Sequence, residues 1–427
     1  MRRTLTLVTT VALLFALLGL DALARADIRH EDVVSEDPVD WTPHVLDGTV
    51  RAIVVVGGKV VVGGNFSQVR EAGGSAVLAR SNLFAYDAAT GVIDPNFAPV
   101  VDSVVYALAA GDGDTVYAGG AFKSINGTAV RDLARLHLAD GGIDQGFSRS
   151  RINFGVVSTM ARNGTHLYIG GTFDTITDTT AAGAARHRLA RLNAADGAID
   201  SDFSITVAAP RSGTLNVKQL AVDPAGAKLV ITGTFTTVDG EPRHQIAMID
   251  LTGGAPALSS WATSEYDDPC NPIFDTYMRD VDFSPSGDYF VVVTTGGPYG
   301  TSSLCDTAAR WEATANGPGQ TPTWVNWTGG DTLLATSVTG VAVYVGGHQR
   351  WMDNPHGHDS AGPGAVERPG IAALNPATGK ALAWNPTRTR GHGVEALVAT
   401  PTGLLVGSDT EELGHEYHAR LGMFQLT

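Results

Sequence analysis

Apolar residues fall in runs of four to six positions, some alternating with polar residues and some continuous, rich in Val, Ile, Leu and Tyr. Turn pairs such as Gly113-Asp114, Asn126-Gly127, Asn163-Gly164 and Asp196-Gly197 punctuate them. Short runs bounded by turn residues predict strands, and no segment sustains the 3.6-residue apolar period of an amphipathic helix. The expectation is an all-β chain of many short strands.

One apolar phrase ending in small residues recurs along the chain. It is clearest in Val61-Val62-Gly63-Gly64-Asn65-Phe66, Val116-Tyr117-Ala118-Gly119-Gly120-Ala121-Phe122 and Leu167-Tyr168-Ile169-Gly170-Gly171-Thr172-Phe173. Weaker copies are Val230 to Phe235, Val292 to Gly297, Val343 to His348 and Leu404 to Asp409, which brings the number to seven. Each copy sits in a longer unit. In the second, Val105 to Ala109 leads through a Gly/Asp turn into the Gly-Gly phrase, followed by Leu133-Ala134-Arg135-Leu136, a Gly141-Gly142 turn and Ile143-Asp144-Gln145-Gly146-Phe147. Four strands per unit and a spacing of about 50 to 63 residues predict a seven-bladed β-propeller of four-stranded antiparallel blades. A propeller must join its last blade to its first or leave an edge exposed. The seventh unit stops after Leu421 to Leu426, so the segment around Asp40 to Val45 is expected to supply its outer strand. Residues 27–427 then form one domain.

The units with Gly-Gly-x-Phe, Leu-Ala-Arg-Leu and Gly-x-Ile-Asp-x-x-Phe resemble the delta-60-type repeat propellers of exported bacterial proteins. The likeness extends over nearly all of residues 27–427 and is strongest in units one to four. The stretch from Gly346 to Leu426, with Gly347-His348-Gln349-Arg350-Trp351 and Gly407-Ser408-Asp409-Thr410, is similar to uncharacterised actinobacterial exported proteins. The resemblance implies a fold and leaves the activity open.

The first residues change the picture of where the chain works. Met1-Arg2-Arg3, the apolar stretch Leu5 to Leu20 and Ala24-Arg25-Ala26 have the charged start, apolar middle and small-x-small cut site of a secretory signal. Residues 1–26 are therefore expected to be a signal peptide, and the protein to be secreted and extracellular, with no membrane span. Removal of residues 1–26 takes away three Arg and one Asp, moving the formal charge from -15 to -17. Such an acidic chain argues against nucleic acid as a partner. Cys270 and Cys305 are the only two cysteines. In an oxidising compartment they are expected to form one disulfide, both falling in loops on one face of the propeller.

If the strands of each unit run A to D from the axis outward, the B–C and D–A loops share a face. Six of the 12 His residues map there: His348, His356, His358, His392, His415 and His418. Where units one to four place Phe66, Phe122, Phe173 and Phe235, units six and seven place Gln349 and Thr410. Polar replacement of a repeated apolar position marks a candidate site. Imidazoles and carboxylates suit a divalent metal, with His356, His358 and His415 as candidate ligands. Alternatively His348, Arg350, Trp351, His392, Asp409, Glu416 and His418 line a cleft for a polar ligand, Trp351 stacking and Arg350 clamping a carboxylate. The Asp-Gly-x-Ile-Asp phrases at Asp140 and Asp196 read as turns rather than calcium loops, and Arg135 and Arg191 as ion-pair partners. No linear catalytic motif appears. The leading expectation is a monomeric scaffold that binds an extracellular polymer, carbohydrate or protein. The alternative is an extracellular hydrolase or lyase acting on carbohydrate, with His392 or His418 as base beside Asp409 or Glu416.

Overall fold

The computed structural model describes residues 28–180, 185–267, 270–298 and 300–427. The expected signal peptide lies outside the described residues. Among the described residues the only helical segment is the short turn Gly300–Ser302, and no helix is long and apolar enough to cross a membrane.

Seven principal antiparallel sheets follow one another along the chain. In the first, Thr49–Val56 pairs with Lys59–Asn65, which pairs with Leu83–Asp87. The equivalent innermost strands of the others are Val105–Ala110, Val157–Asn163, Val217–Val222, Met278–Phe283, Leu333–Val338 and Val394–Thr400. Each innermost strand packs on the innermost strand of the next sheet, and Val394–Thr400 packs back on Thr49–Val56. The four-strand expectation is met fully by two sheets, which end in Ala257–Leu258 and Trp324–Trp327. In four others the outer strand shrinks to a single bridge, such as Tyr86 to Ile93 and Leu136 to Ile143. Asp and Gly in those turns favour tight reversals over longer pairing.

The recurrent Gly-Gly falls at the end of the second strand, and each glycine has its own reason. A β-carbon on Gly63 would lie 2.7 Å from Val105 Cγ1 of the next sheet, and the same crowding places Gly119 against Val157, Gly170 against Val217 and Gly346 against Val394. The first glycine thus lets neighbouring sheets close on one another. A β-carbon on the second would strike a backbone carbonyl of its own sheet, Thr49 O at 2.0 Å from Gly64 and Val104 O at 2.1 Å from Gly120. Thr232 and Val293 replace the first glycine in units four and five, and the strands that follow start with Met278 and Leu333 instead of Val.

A left-handed residue precedes every third strand: Asn82, Asp132, Arg188, Gln245, Asp306, Gly370 and Arg420, with φ between 54° and 75°. Six of these are not glycine, a conformation costing about 1 kcal/mol for each. Hydrogen bonds offset that cost. Asn82 N donates to Phe66 O while Gly64 N donates to Asn82 O, and the pattern recurs at Asp132 and Arg188. The phenylalanines Phe66, Phe122, Phe173 and Phe235 above these turns are buried.

The repeated motif after the third strand is also explained. Arg135 Nη2 meets Asp144 Oδ2 at 2.7 Å and its guanidinium lies 5.5 Å from the Phe147 ring centre. Arg191 does the same with Asp200 and Phe203. Asp140 Oδ1 and Asp196 Oδ1 accept amide hydrogen bonds from Gly142 and Ala198 within the turn, as the turn reading requires.

The first described segment meets the last strand. Ser35 N donates to Gln425 O at 2.8 Å, Val39 N to Met423 O at 2.9 Å, and Pro38 bridges Phe424. The pairing segment therefore lies a few residues before the expected Asp40 to Val45. His44–Val45 instead pairs with Val69 and Arg70 in the B–C loop of the first unit. Trp384 anchors this seam, its indole NH donating to Ser35 O and its ring edge-on to Phe424.

Candidate functional site

Cys270 and Cys305 form a disulfide whose sulfurs are buried, with Cα atoms 5.8 Å apart. It ties the loop entering the fifth innermost strand to that unit's B–C loop, so those two loop types do share a face. Gly296 makes room for it, because a β-carbon there would lie 2.4 Å from Cys270 Cβ.

The structure divides the expected site residues into separate groups. His348, Arg350, Trp351, His392 and Asp409 come together between the sixth and seventh units. At the centre of this group is Asp331, which the sequence did not single out and which is 2% exposed. Its carboxylate accepts from Arg350 Nε at 2.8 Å, Arg350 Nη2 at 2.9 Å, the Arg350 amide at 3.0 Å and Arg390 Nη2 at 2.8 Å. Two arginines converging on one carboxylate satisfy it fully. Arg350, expected to clamp a ligand carboxylate, clamps this internal one, while its guanidinium stacks 4.4 Å from the Trp351 ring centre. His348 Nδ1 lies 3.2 Å from His392 O, and burial holds its pKa below the usual histidine value.

Asp409 is equally engaged. Its two oxygens accept the amides of His392 at 2.7 Å and Gly393 at 3.0 Å, fixing the loop into the seventh innermost strand. The carboxylate that His392 contacts through its side chain is Glu395, Nδ1 to Oε1 2.9 Å. That hydrogen bond raises the His392 pKa. Burial would raise Glu395, but His392 and Arg51, whose Nη1 is 3.2 Å from Oε2, more than offset it and leave its pKa low. Asp409 as the partner of a His392 base is thus replaced by Glu395.

Glu416 and His418 lie elsewhere, against the N-terminal segment. His418 is buried, with Nδ1 3.3 Å from Thr42 Oγ1 and its ring 6.2 Å from that of His44. Desolvation lowers the pKa of both imidazoles, pushing His44 down to about 4. His418 Nε2 is 4.0 Å from Glu416 Oε2, too far for a hydrogen bond. This pair closes the seam rather than facing a cleft. The expected metal ligands are not gathered: His356 and His358 are exposed on the B–C loop of the sixth unit, and exposed His415 contacts Thr387 Oγ1. Among the described residues no group of three or more His, Cys, Asp or Glu is placed to hold a metal ion.

The polar replacements of the repeated phenylalanine are buried, as their position demands. Thr410 accepts from Arg388 Nη1 at 2.8 Å, whereas neither amide atom of Gln349 has a hydrogen-bond partner. Arg388, also missed from sequence, is nearly enclosed and donates to Gly347 O and Arg390 O. It fits because Gly370 replaces a side chain, a β-carbon there lying 2.5 Å from Arg388 Cγ. That lone Gly at the left-handed position was a sequence signal for the arginine.

A second set of residues, mostly polar and also unanticipated, stands at the start of the innermost strands. Every innermost strand carries a β-bulge near its start, where the register skips Arg51, Tyr106, Ser158, Lys218, Arg279, Leu334 and Glu395 in turn. A bulged residue leaves the ladder and re-aims its side chain. Each is more open than its flanking neighbours, as Arg51 is between Val50 and Ala52.

Comparison with known proteins supports the repeat reading. Residues 166–203, which hold the Arg191, Asp200 and Phe203 motif, match the family model described as "Domain of unknown function (DUF5122) beta-propeller". No curated protein matches by sequence. Among solved structures, the WD40 repeats of RRP9 superpose with a TM-score of 0.53 at 11% identity, covering 92% of this chain and 99% of that one. At that identity the likeness shows the fold alone: the chain is an all-β repeat protein of the β-propeller type.

Proposed function

We propose that this protein is an exported recognition scaffold, a seven-bladed β-propeller of reduced four-stranded blades that binds an extracellular polymer, carbohydrate or protein through its loop-bearing face. The seven principal sheets, the circular succession of their innermost strands and the pairing of Ser35 and Val39 with the last strand support that architecture. The observation that carries a binding role is the engagement of the polar groups on this face. Asp331 is saturated by Arg350 and Arg390, Asp409 by two backbone amides, and His418 is buried at the seam. Groups fixed in mutual pairs give a rigid, patterned surface suited to recognition, whereas proton transfer needs a group free to meet substrate.

One dyad favours the alternative of a hydrolase or lyase. His392 is exposed and paired with Glu395, the only such arrangement among the expected site residues described here. Screening residues 27–427 against glycan and protein arrays, with product analysis of every hit, separates the two readings. Binding without turnover is expected. Turnover that disappears in His392→Ala overturns the scaffold.

A further inference from the structure

The seven bulged residues converge on the axis from all seven units. Arg51 of the first unit reaches Glu395 of the seventh at 3.2 Å and lies 6.0 Å from the ring centre of Tyr106 in the second. Lys218 of the fourth unit is exposed, yet its ammonium is desolvated and interacts electrostatically with Arg279, Glu395 and Arg51. A side chain that is open to solvent and also enclosed by several units projects into a central lumen. The bulges sit at the start of the innermost strands, so this is the channel mouth on the loop-bearing face.

Charge at this mouth is unbalanced. Three cations, Arg51, Lys218 and Arg279, share the carboxylate Glu395, which also raises the His392 pKa; the second acid near Arg279 is Asp306, whose own pKa burial pushes up to about 7. Arg279 spends one nitrogen on Thr276 O and Met278 O. Lys218 Nζ has no hydrogen bond or ion pair among the described residues. In a chain of net charge -15, an unneutralised cationic ring at the axis departs from the surrounding potential. Low-dielectric walls focus that potential into the lumen. Arg279 and Arg51 retain further N–H donors, Ser158 and Tyr106 carry hydroxyls, and the ring therefore combines charge with several donors of the kind that oxyanions accept.

We propose that the channel mouth is an anion site that takes a compact oxyanion of two or more negative charges, a phosphate or polycarboxylate group, with Lys218 and Arg279 as its principal ligands. This rests on the scaffold reading and names the chemistry it recognises. The acidic surface beyond the ring disfavours a long polyanion lying across the face, so the group enters end-on.

Calorimetric titration of residues 27–427 with inorganic pyrophosphate, citrate and long-chain polyphosphate at low salt tests this. Saturable binding of pyrophosphate or citrate is expected, weakened by about tenfold or more in Lys218→Gln and in Arg279→Gln, as loss of a charge-assisted hydrogen bond implies. Glu395→Gln should tighten it several-fold by removing the competing carboxylate, while the double variant His356→Ala, His358→Ala leaves it unchanged. Polyphosphate binding as strong as that of pyrophosphate identifies a polymer-borne group, and pyrophosphate alone a free anion; either supports the site. Absence of saturable binding by all three probes, or binding unaltered in folded Lys218→Gln, overturns it. A partner bound in the array screen with no anion binding leaves the scaffold and removes the anion site. Turnover of a bound anion does the reverse.

Discussion

A β-carbon added to Gly407 would lie 2.5 Å from Val50 Cγ1, so the seventh principal sheet meets the first at the same close contact that joins earlier neighbours. Gly407→Ala should therefore destabilise by about 2–3 kcal/mol through overpacking. Val50→Ala, which removes the obstructing methyls, should recover part of that loss although it destabilises when made alone. A double-mutant cycle from urea unfolding checks this, and strict additivity would show that the two residues do not set the seam.

Asp331 is buried, whereas the Arg350 and Arg390 side chains that it holds are 32% and 49% exposed, so Asp331→Ala leaves two partly solvated guanidinium groups without this carboxylate. The expected loss is about 1–3 kcal/mol, the range for lost hydrogen bonds to a charged group, with solvent screening the freed cations. Adding Arg350→Met and Arg390→Met to the same chain should cost less than Asp331→Ala does alone. Thermal unfolding of the single and triple variants separates unpaired charge from lost packing.

Asp306 is 1% exposed, neither of its carboxylate oxygens has a hydrogen-bond partner among the described residues, and desolvation pushes its pKa up to about 7. Nearby Asp331 and Asp359 raise it further and Arg279 lowers it. The unfolded chain releases this proton near pH 4 while the folded chain keeps it to about 7. Stability is therefore full below the unfolded value and falls as pH rises through that window. Asp306→Asn, whose side chain tolerates the left-handed φ of 54°, removes the titration. Its stability relative to the unmutated chain should rise by on the order of 2–4 kcal/mol between pH 4 and pH 8. A difference that stays flat across that range would contradict the assignment.

The Cys270–Cys305 bond spans a separation of 35 residues, for which loop closure predicts roughly 3–4 kcal/mol of stabilisation. The variant Cys270→Ala, Cys305→Ala should lose that amount in denaturant unfolding. Because both sulfurs are buried, reductant alone should act on the native protein only at denaturant concentrations that open the loop.

The repeat was legible because geometry imposes it seven times. Gly-Gly is demanded by contacts with the next sheet and with the first strand, and Ile-Asp-x-x-Phe by the bridge, ion pair and ring stacking around Arg135 and Arg191. Outer strands were over-read, since a phrase such as Gly142-Ile143-Asp144 serves a turn and one bridge as readily as a strand. Polar residues in loops were legible as a cluster but not as partners. Nothing in the spacing showed that Arg350 and Arg390 share Asp331, or that His392 turns to Glu395 and leaves Asp409 to the backbone. The axial ring escaped notice for another reason. Arg51, Lys218, Arg279 and Glu395 occupy one structural position, yet their side chains share no type, and only the bulges that skip them in register mark them as equivalent.

The hydrogen bonds from Ser35 and Val39 to Gln425 and Met423 join segments from opposite ends of the chain. Until both ends are in place, Leu421–Gln425 offers an unpaired strand edge, and any copy of Ser35–Val39 can fill it. At high concentration during refolding, the donor can come from a neighbouring molecule, giving strand-exchanged dimers in which each ring is completed by the other. Dilute refolding favours the self-closed ring, because the tethered segment then outcompetes its counterpart in trans.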